Sequence, residues 1–107
     1  MVSRAMSMTY RSLRQLEEQR SYKIVRTEER EDKNILLFLK GYGDEEEFMS
    51  LLLPRSLHPA FRSAKRQNIE RNGEAAELKL KYYGCTNFDG GNPIIRISGK
   101  GFTRYLM

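Results

Sequence analysis

The clearest pattern in the chain is Leu78-Lys79-Leu80-Lys81-Tyr82-Tyr83, where apolar residues alternate with basic or aromatic ones. A strand sends successive side chains to opposite faces. Leu78, Leu80 and Tyr82 therefore face a core, and Lys79, Lys81 and Tyr83 face away from it. The same period predicts strands over residues 22–27, with Ile24 and Val25 on opposite faces, over 48–53 and over 94–98. Residues 35–40 form a nearly continuous apolar run, which predicts a central strand covered on both faces. Helical spacing occurs twice. Tyr10, Leu13 and Leu16 predict a short helix within residues 9–20, with Ser12-Leu13-Arg14-Gln15 as a capping box. Phe61, Ala64, Asn68 and Ile69 predict a helix over residues 59–71, entered through Pro59 and stopped by Asn72-Gly73.

Turn chemistry separates these elements. Residues 28–34 are charged, Gly41-Tyr42-Gly43-Asp44 leads into the acidic Glu45-Glu46-Glu47, and Pro54 ends the third strand. Residues 85–93, with Asp89-Gly90-Gly91-Asn92, read as a loop, and residues 102–106 extend the fifth strand beyond the Gly99/Gly101 break. The expected fold is mainly β with α (α+β). It is a five-stranded OB-like barrel with one helix between strands 3 and 4 and a short N-terminal helix. Residues 1–8 form a flexible arm and residues 9–107 a single binding domain.

Charge adds direction to this outline. The net charge is +5, and it is unevenly placed. Residues 1–53 hold nine Lys/Arg against ten Asp/Glu, whereas residues 54–107 hold ten against four. A basic half points to an anionic partner, nucleic acid first among them. No apolar run reaches the length of a membrane span, and the N-terminus has no apolar leader core. With Cys85 alone, no internal disulfide forms, so a reducing intracellular setting is expected, and the nucleus for a eukaryotic or nuclear-virus source.

The residues that build catalytic sites are scarce. His58 is the only histidine and precedes Pro59, as a capping residue does. One His and one Cys cannot make a usual zinc set. The acidic runs lack calcium-loop spacing, and Gly99-Lys100-Gly101-Phe102 lacks the spacing of a phosphate loop. No enzyme activity, cofactor or metal is expected.

The candidate binding chemistry lies in three places. The first is the Lys79, Lys81 and Tyr83 strand face, where cations can follow a phosphate backbone and a ring can stack on a base; the plainer alternative is a strand with lysines in solvent. The second is the helix face Arg62, Lys65 and Arg66, at i, i+3 and i+4, with Arg55 nearby. The third is the loop carrying Phe88, supported by Tyr42 in the second turn and by Arg96, Lys100 and Arg104. The acidic first turn fits this picture poorly. It either points away from the ligand or meets a protein partner, and with the N-terminal helix it supports the alternative of a non-enzymatic interaction adaptor. The strand edges also leave room for a homo-oligomer.

Ser12-Leu13-x-x-Leu16 leading to Tyr22-x-Ile24, then Ile35-Leu36-Leu37, Leu52-Leu53-Pro54-Arg55, Leu80-x-Tyr82-x-Gly84 and Ile94-Ile95-x-Ile97, resemble small OB-type single-stranded-DNA-binding proteins of viruses and mobile elements. The resemblance covers roughly residues 12–98. It implies sequence-tolerant binding of single strands, DNA ahead of RNA, through a sheet face and loops, in a process such as DNA replication. The acidic first turn and the Met-rich arm depart from it.

Overall fold

A computed structural model describes residues 10–41, 48–85 and 93–106. Its strands are β1 (Ser21–Glu29), β2 (Ile35–Gly41), β3 (Phe48–Leu53), β4 (Leu78–Cys85), β5 (Pro93–Gly99) and β6 (Phe102–Leu106), with one helix, α1 (His58–Asn72). They form a six-stranded sheet in the order β3-β2-β1-β4-β5-β6, with every neighbouring pair antiparallel. The architecture is therefore mainly β with one helix. That helix is not long and apolar enough to cross a membrane.

Two expectations are corrected. The sheet has six strands rather than five, because residues 102–106 reverse instead of extending β5. Gly99 pairs with Phe102, and the two residues between them turn the chain, with Gly101 at φ +84°. Glycine reaches that left-handed backbone without steric cost. The short N-terminal helix is also absent among the described residues. Only a single 3-10 turn, Leu13–Gln15, forms there, and Leu16 is already extended at φ −79°, ψ 149°. The Gln15 half of the capping box is present, with the Ser12 N–H donating to Gln15 Oε1 at 2.7 Å. So short a segment gains little from helix propagation, and its backbone finds partners in the sheet instead. Arg11 N–H donates to the Ser50 carbonyl, Leu52 N–H to the Arg11 carbonyl, and Gln19 N–H to the Tyr82 carbonyl. Residues 11–19 thus run from the β3 edge to β4, delivering Leu13 and Leu16 to the core.

The core occupies one face of the sheet. It gathers Tyr22 and Ile24 from β1, Ile35, Leu37 and Leu39 from β2, Leu51 and Leu53 from β3, Leu80 and Tyr82 from β4, and Ile95 and Ile97 from β5. Helix α1 adds Phe61 and Ala64. His58 and Asn68, both buried, are satisfied by structure: His58 Nε2 lies 2.9 Å from the Leu53 carbonyl, and Asn68 donates to the Ala76 carbonyl at 3.1 Å. Burying these polar groups unpaired would cost about 1–3 kcal/mol each.

One irregularity decides which β1 residues face inward. The register with β2 shifts between Ile24 and Arg26, leaving Val25 as the extra residue of a β-bulge. Tyr22 and Ile24 point to the core before it, and Thr27 and Glu29 point to the helix side after it. Arg26 is turned outward, with its guanidinium carbon 4.0 Å from the centre of the Phe38 ring.

Candidate nucleic-acid interface

The face of the sheet opposite the core carries a row of directly paired residues that crosses all six strands. In strand order it is Phe48, Lys40, Lys23, Lys79, Ser98 and Thr103. Each follows from local alternation: Lys23 stands between inward Tyr22 and Ile24, Lys40 follows inward Leu39, and Lys79 stands between Leu78 and Leu80. Three lysines thus sit on three adjacent strands, about 5 Å apart. Like charges directly opposite one another destabilise a sheet. Glu77 relieves part of this, its Oε2 lying 3.6 Å from Lys23 Nζ.

A second row runs parallel to the first through Ser21, Lys81, Arg96 and Tyr105. Tyr83 joins it from a second bulge, where the β4–β5 register shifts between Tyr82 and Gly84. Gly84 holds that bulge at φ +100°, and a Cβ there would come within 2.8 Å of a Glu18 carboxylate oxygen. The Tyr83 ring centre lies 6.1 Å from that of Tyr105, with Lys81 Nζ at 5.3 Å and the Arg96 guanidinium carbon at 5.9 Å. Arg96 Nε is buried with no hydrogen-bond partner. On the other side of the lysines stand Phe38, under Arg26, and Phe48, which is 68% exposed and whose ring centre lies 5.5 Å from Lys40 Nζ. The apolar atoms of Val25, Phe38 and Phe48 line a shallow groove of about 340 Å³. The face therefore offers ammonium groups in the middle and ring faces at both ends. Such a surface can hold phosphates and stack unpaired bases.

Of the residues singled out from sequence, Lys79, Lys81, Tyr83 and Arg96 come together on this face. Lys100 lies at its border, in the β5–β6 turn. The basic helix residues belong elsewhere. Arg62 Nη2 lies 2.7 Å from Glu29 Oε1, and this contact holds the Glu29 carboxyl below its usual pKa and the guanidinium above its own. Lys65 donates to Thr27 Oγ1 at 2.7 Å, and Arg66 is exposed on the same helix. Arg55 donates to the Asp32 carbonyl at 3.3 Å. Arg104 alternates inward between Thr103 and Tyr105 and donates to Ser63 and Gln67 of α1 at 3.1 and 3.2 Å. Tyr42 and Phe88 lie outside the described residues, as do residues 1–8 and the acidic run 44–47.

The acidic first turn has partners within the chain. Glu28 Oε2 meets Arg26 at 3.1 Å and Glu29 meets Arg62. Asp32 accepts the Asn34 N–H at 3.0 Å, which lowers its carboxyl pKa and closes its own turn.

Sequence reasoning missed Lys23, Arg26, Lys40, Phe38, Phe48 and Tyr105. The alternation of Lys23 with Tyr22 and Ile24, and of Phe38 and Lys40 with Leu37 and Leu39, is the signal that could have found three of them. The apolar reading of β2 holds at Leu36, which is 1% exposed on the outer face, while Phe38 and Lys40 are only partly covered.

No family model, no characterised protein and no solved structure matches the chain.

Proposed function

We propose that this chain is a non-enzymatic, sequence-tolerant binder of single-stranded nucleic acid, DNA before RNA, and that the outer sheet face is its binding surface. The observation that carries the reading is the Lys40–Lys23–Lys79 row between two sets of rings. Three adjacent lysines oppose the stability of a sheet, and an anionic polymer lying across them reverses the sign of that contribution. Exposed rings on both sides favour a ligand with unpaired bases over a duplex, whose bases are already stacked. No residue on this face needs to read a base edge, hence the tolerance to sequence.

The scaffold we propose is OB-type, with a sixth strand added. A three-stranded meander, a helix, and a fourth strand returning to pair with β1 support this reading. So does the approach of β5 to β3, since Pro93 at the start of β5, Leu53 at the end of β3 and Pro54 after it line one groove.

Fluorescence anisotropy with a labelled oligonucleotide and its duplex, at two salt concentrations, tests the function. Single strands should bind more tightly, and affinity should fall with a log–log salt slope of about −2 to −3.5, from three to five phosphate contacts at roughly 0.7 each. An RNA oligonucleotide of the same sequence ranks the two polymers. Absence of binding at low salt, or equal binding to single strand and duplex, overturns the proposal.

A further inference from the structure

Beside the lysine row lies a groove of about 630 Å³, lined by Arg71, Asn72, Glu77, Lys79, Ser98 and Lys100 among others. Its cations come from three separate elements: Arg71 from the end of α1, Lys79 from β4 and Lys100 from the β5–β6 turn. The single carboxylate on its wall, Glu77, faces Lys23 at 3.6 Å.

The walls are fixed to one another by side-chain hydrogen bonds. Asn72 Nδ2 donates to the Lys100 carbonyl and to Asn68 Oδ1, both at 2.9 Å, and Asn68 in turn donates to the Ala76 carbonyl. Arg71 lies over Gly101, where a Cβ would come within 2.7 Å of Nη2. The bare glycine thus admits the guanidinium against the turn. Two of the three cationic walls, helix end and turn, are locked together before any ligand arrives, which lowers the ordering cost of binding. Lys79 and Ser98 belong both to this groove and to the six-strand row, so a strand lying over the three lysines reaches the groove at its Lys79 end.

We infer that this groove is a site for the terminal phosphate of the bound strand, a phosphomonoester rather than an internal diester. A monoester carries nearly two charges at neutral pH and three free acceptor oxygens, against one charge for a diester. Three cations on one groove match that demand, and a guanidinium donates to two phosphate oxygens at once. The inference rests on the single-strand reading above and adds a preference for strand ends.

The test compares linear oligonucleotides carrying a 5′-phosphate, a 3′-phosphate or hydroxyls only with a circular single strand of the same length. One phosphorylated end should bind roughly five- to tenfold more tightly than the hydroxyl form, about the contribution of one charge-assisted contact. Arg71→Ala, at the end of α1 and off the lysine row, should abolish that difference while leaving the circular strand bound as before, and Lys100→Ala should abolish it too. Lys100→Arg should keep it. Equal affinity for all linear forms overturns the end site but not the single-strand reading, as does an equal loss on circular and linear strands in the variants. Competition of the end preference by inorganic phosphate supports a phosphate site, whereas loss of binding to the circular strand at the same phosphate concentration and ionic strength overturns the distinction. Thermal unfolding of each variant, expected within a few degrees of the parent, shows that the fold is kept.

Discussion

Replacing Lys23 and Lys79 together by glutamine separates binding from folding, because the two lysines act in opposite directions on each. In the free protein they are directly opposite one another and Lys23 is also opposite Lys40. Two ammonium groups about 6 Å apart in water repel by roughly 0.7 kcal/mol, less in salt. Removing two members of the row relieves two such repulsions. It also removes the 3.6 Å pair between Lys23 and Glu77, an exposed contact contributing about 0–1 kcal/mol. These terms oppose one another, so stability should change by no more than about 1 kcal/mol in a urea titration. Binding behaves differently. Each lost phosphate contact reduces the salt slope by about 0.7, equivalent to about fivefold in affinity at 0.1 M salt relative to 1 M. The double variant should therefore bind a single strand about 25-fold more weakly at 0.1 M, with a slope shallower by about 1.4. Arg62→Gln, on the helix and paired with Glu29, is the control and should leave the slope unchanged. An unchanged slope in the double variant, or a stability loss above about 1 kcal/mol, would refute the assignment of these lysines to the ligand.

Tyr83→Ala and Phe48→Ala should each weaken single-strand binding by about 1–3 kcal/mol per lost stacking contact, with little change in salt slope; anisotropy at fixed salt measures this. Arg104→Ala should do the reverse, costing about 1–2 kcal/mol of stability through its two lost hydrogen bonds to α1 while oligonucleotide affinity holds. On acidification, the Glu29 contribution should fade. Its carboxyl is held below its unfolded pKa by Arg62, so the stabilisation is complete above the unfolded value and is lost as pH falls through the lower folded one. Glu29→Gln should flatten that acid limb in thermal unfolding from pH 3 to 7; because the pair is half exposed, the effect is small.

How much of this was legible in the sequence depends on the range of the contacts involved. Lys79 and Lys81 share a face because of alternation alone, a local rule that the run from Leu78 to Tyr82 obeys, and Tyr83 reaches the same face from the bulge that follows. Lys23 and Lys40 could not be joined to them so simply. Their meeting depends on the pairing of β1 with both β2 and β4, and on a bulge at Val25 that interrupts the alternation of β1. The helix illustrates the opposite limit. Spacing places Arg62 and Lys65 near each other, but their partners, Glu29 and Thr27, are 33 and 38 residues away in sequence. Charge without its partner therefore read as an available cation. At the C-terminal end, Gly99 and Gly101 were visible as a break. Whether a break bends a strand or reverses it is decided by the pairing it permits, here Ser98 with Thr103 and Gly99 with Phe102.

The hydrogen bonds from residue 11 to β3 have a further consequence for how the molecule meets copies of itself. Arg11 takes up the Ser50 carbonyl and the Leu52 N–H on the outer side of β3. The opposite margin, β6, pairs only with β5 among the described residues. Among the described residues the sheet is thus plugged at one margin and open at the other. Two chains can join β6 to β6 across a twofold axis, but the resulting assembly presents only plugged margins, and a third chain finds nothing to add to. Growth by strand pairing is then self-limiting, so a protein built largely of sheet can reach a high local concentration without templating a filament of its own.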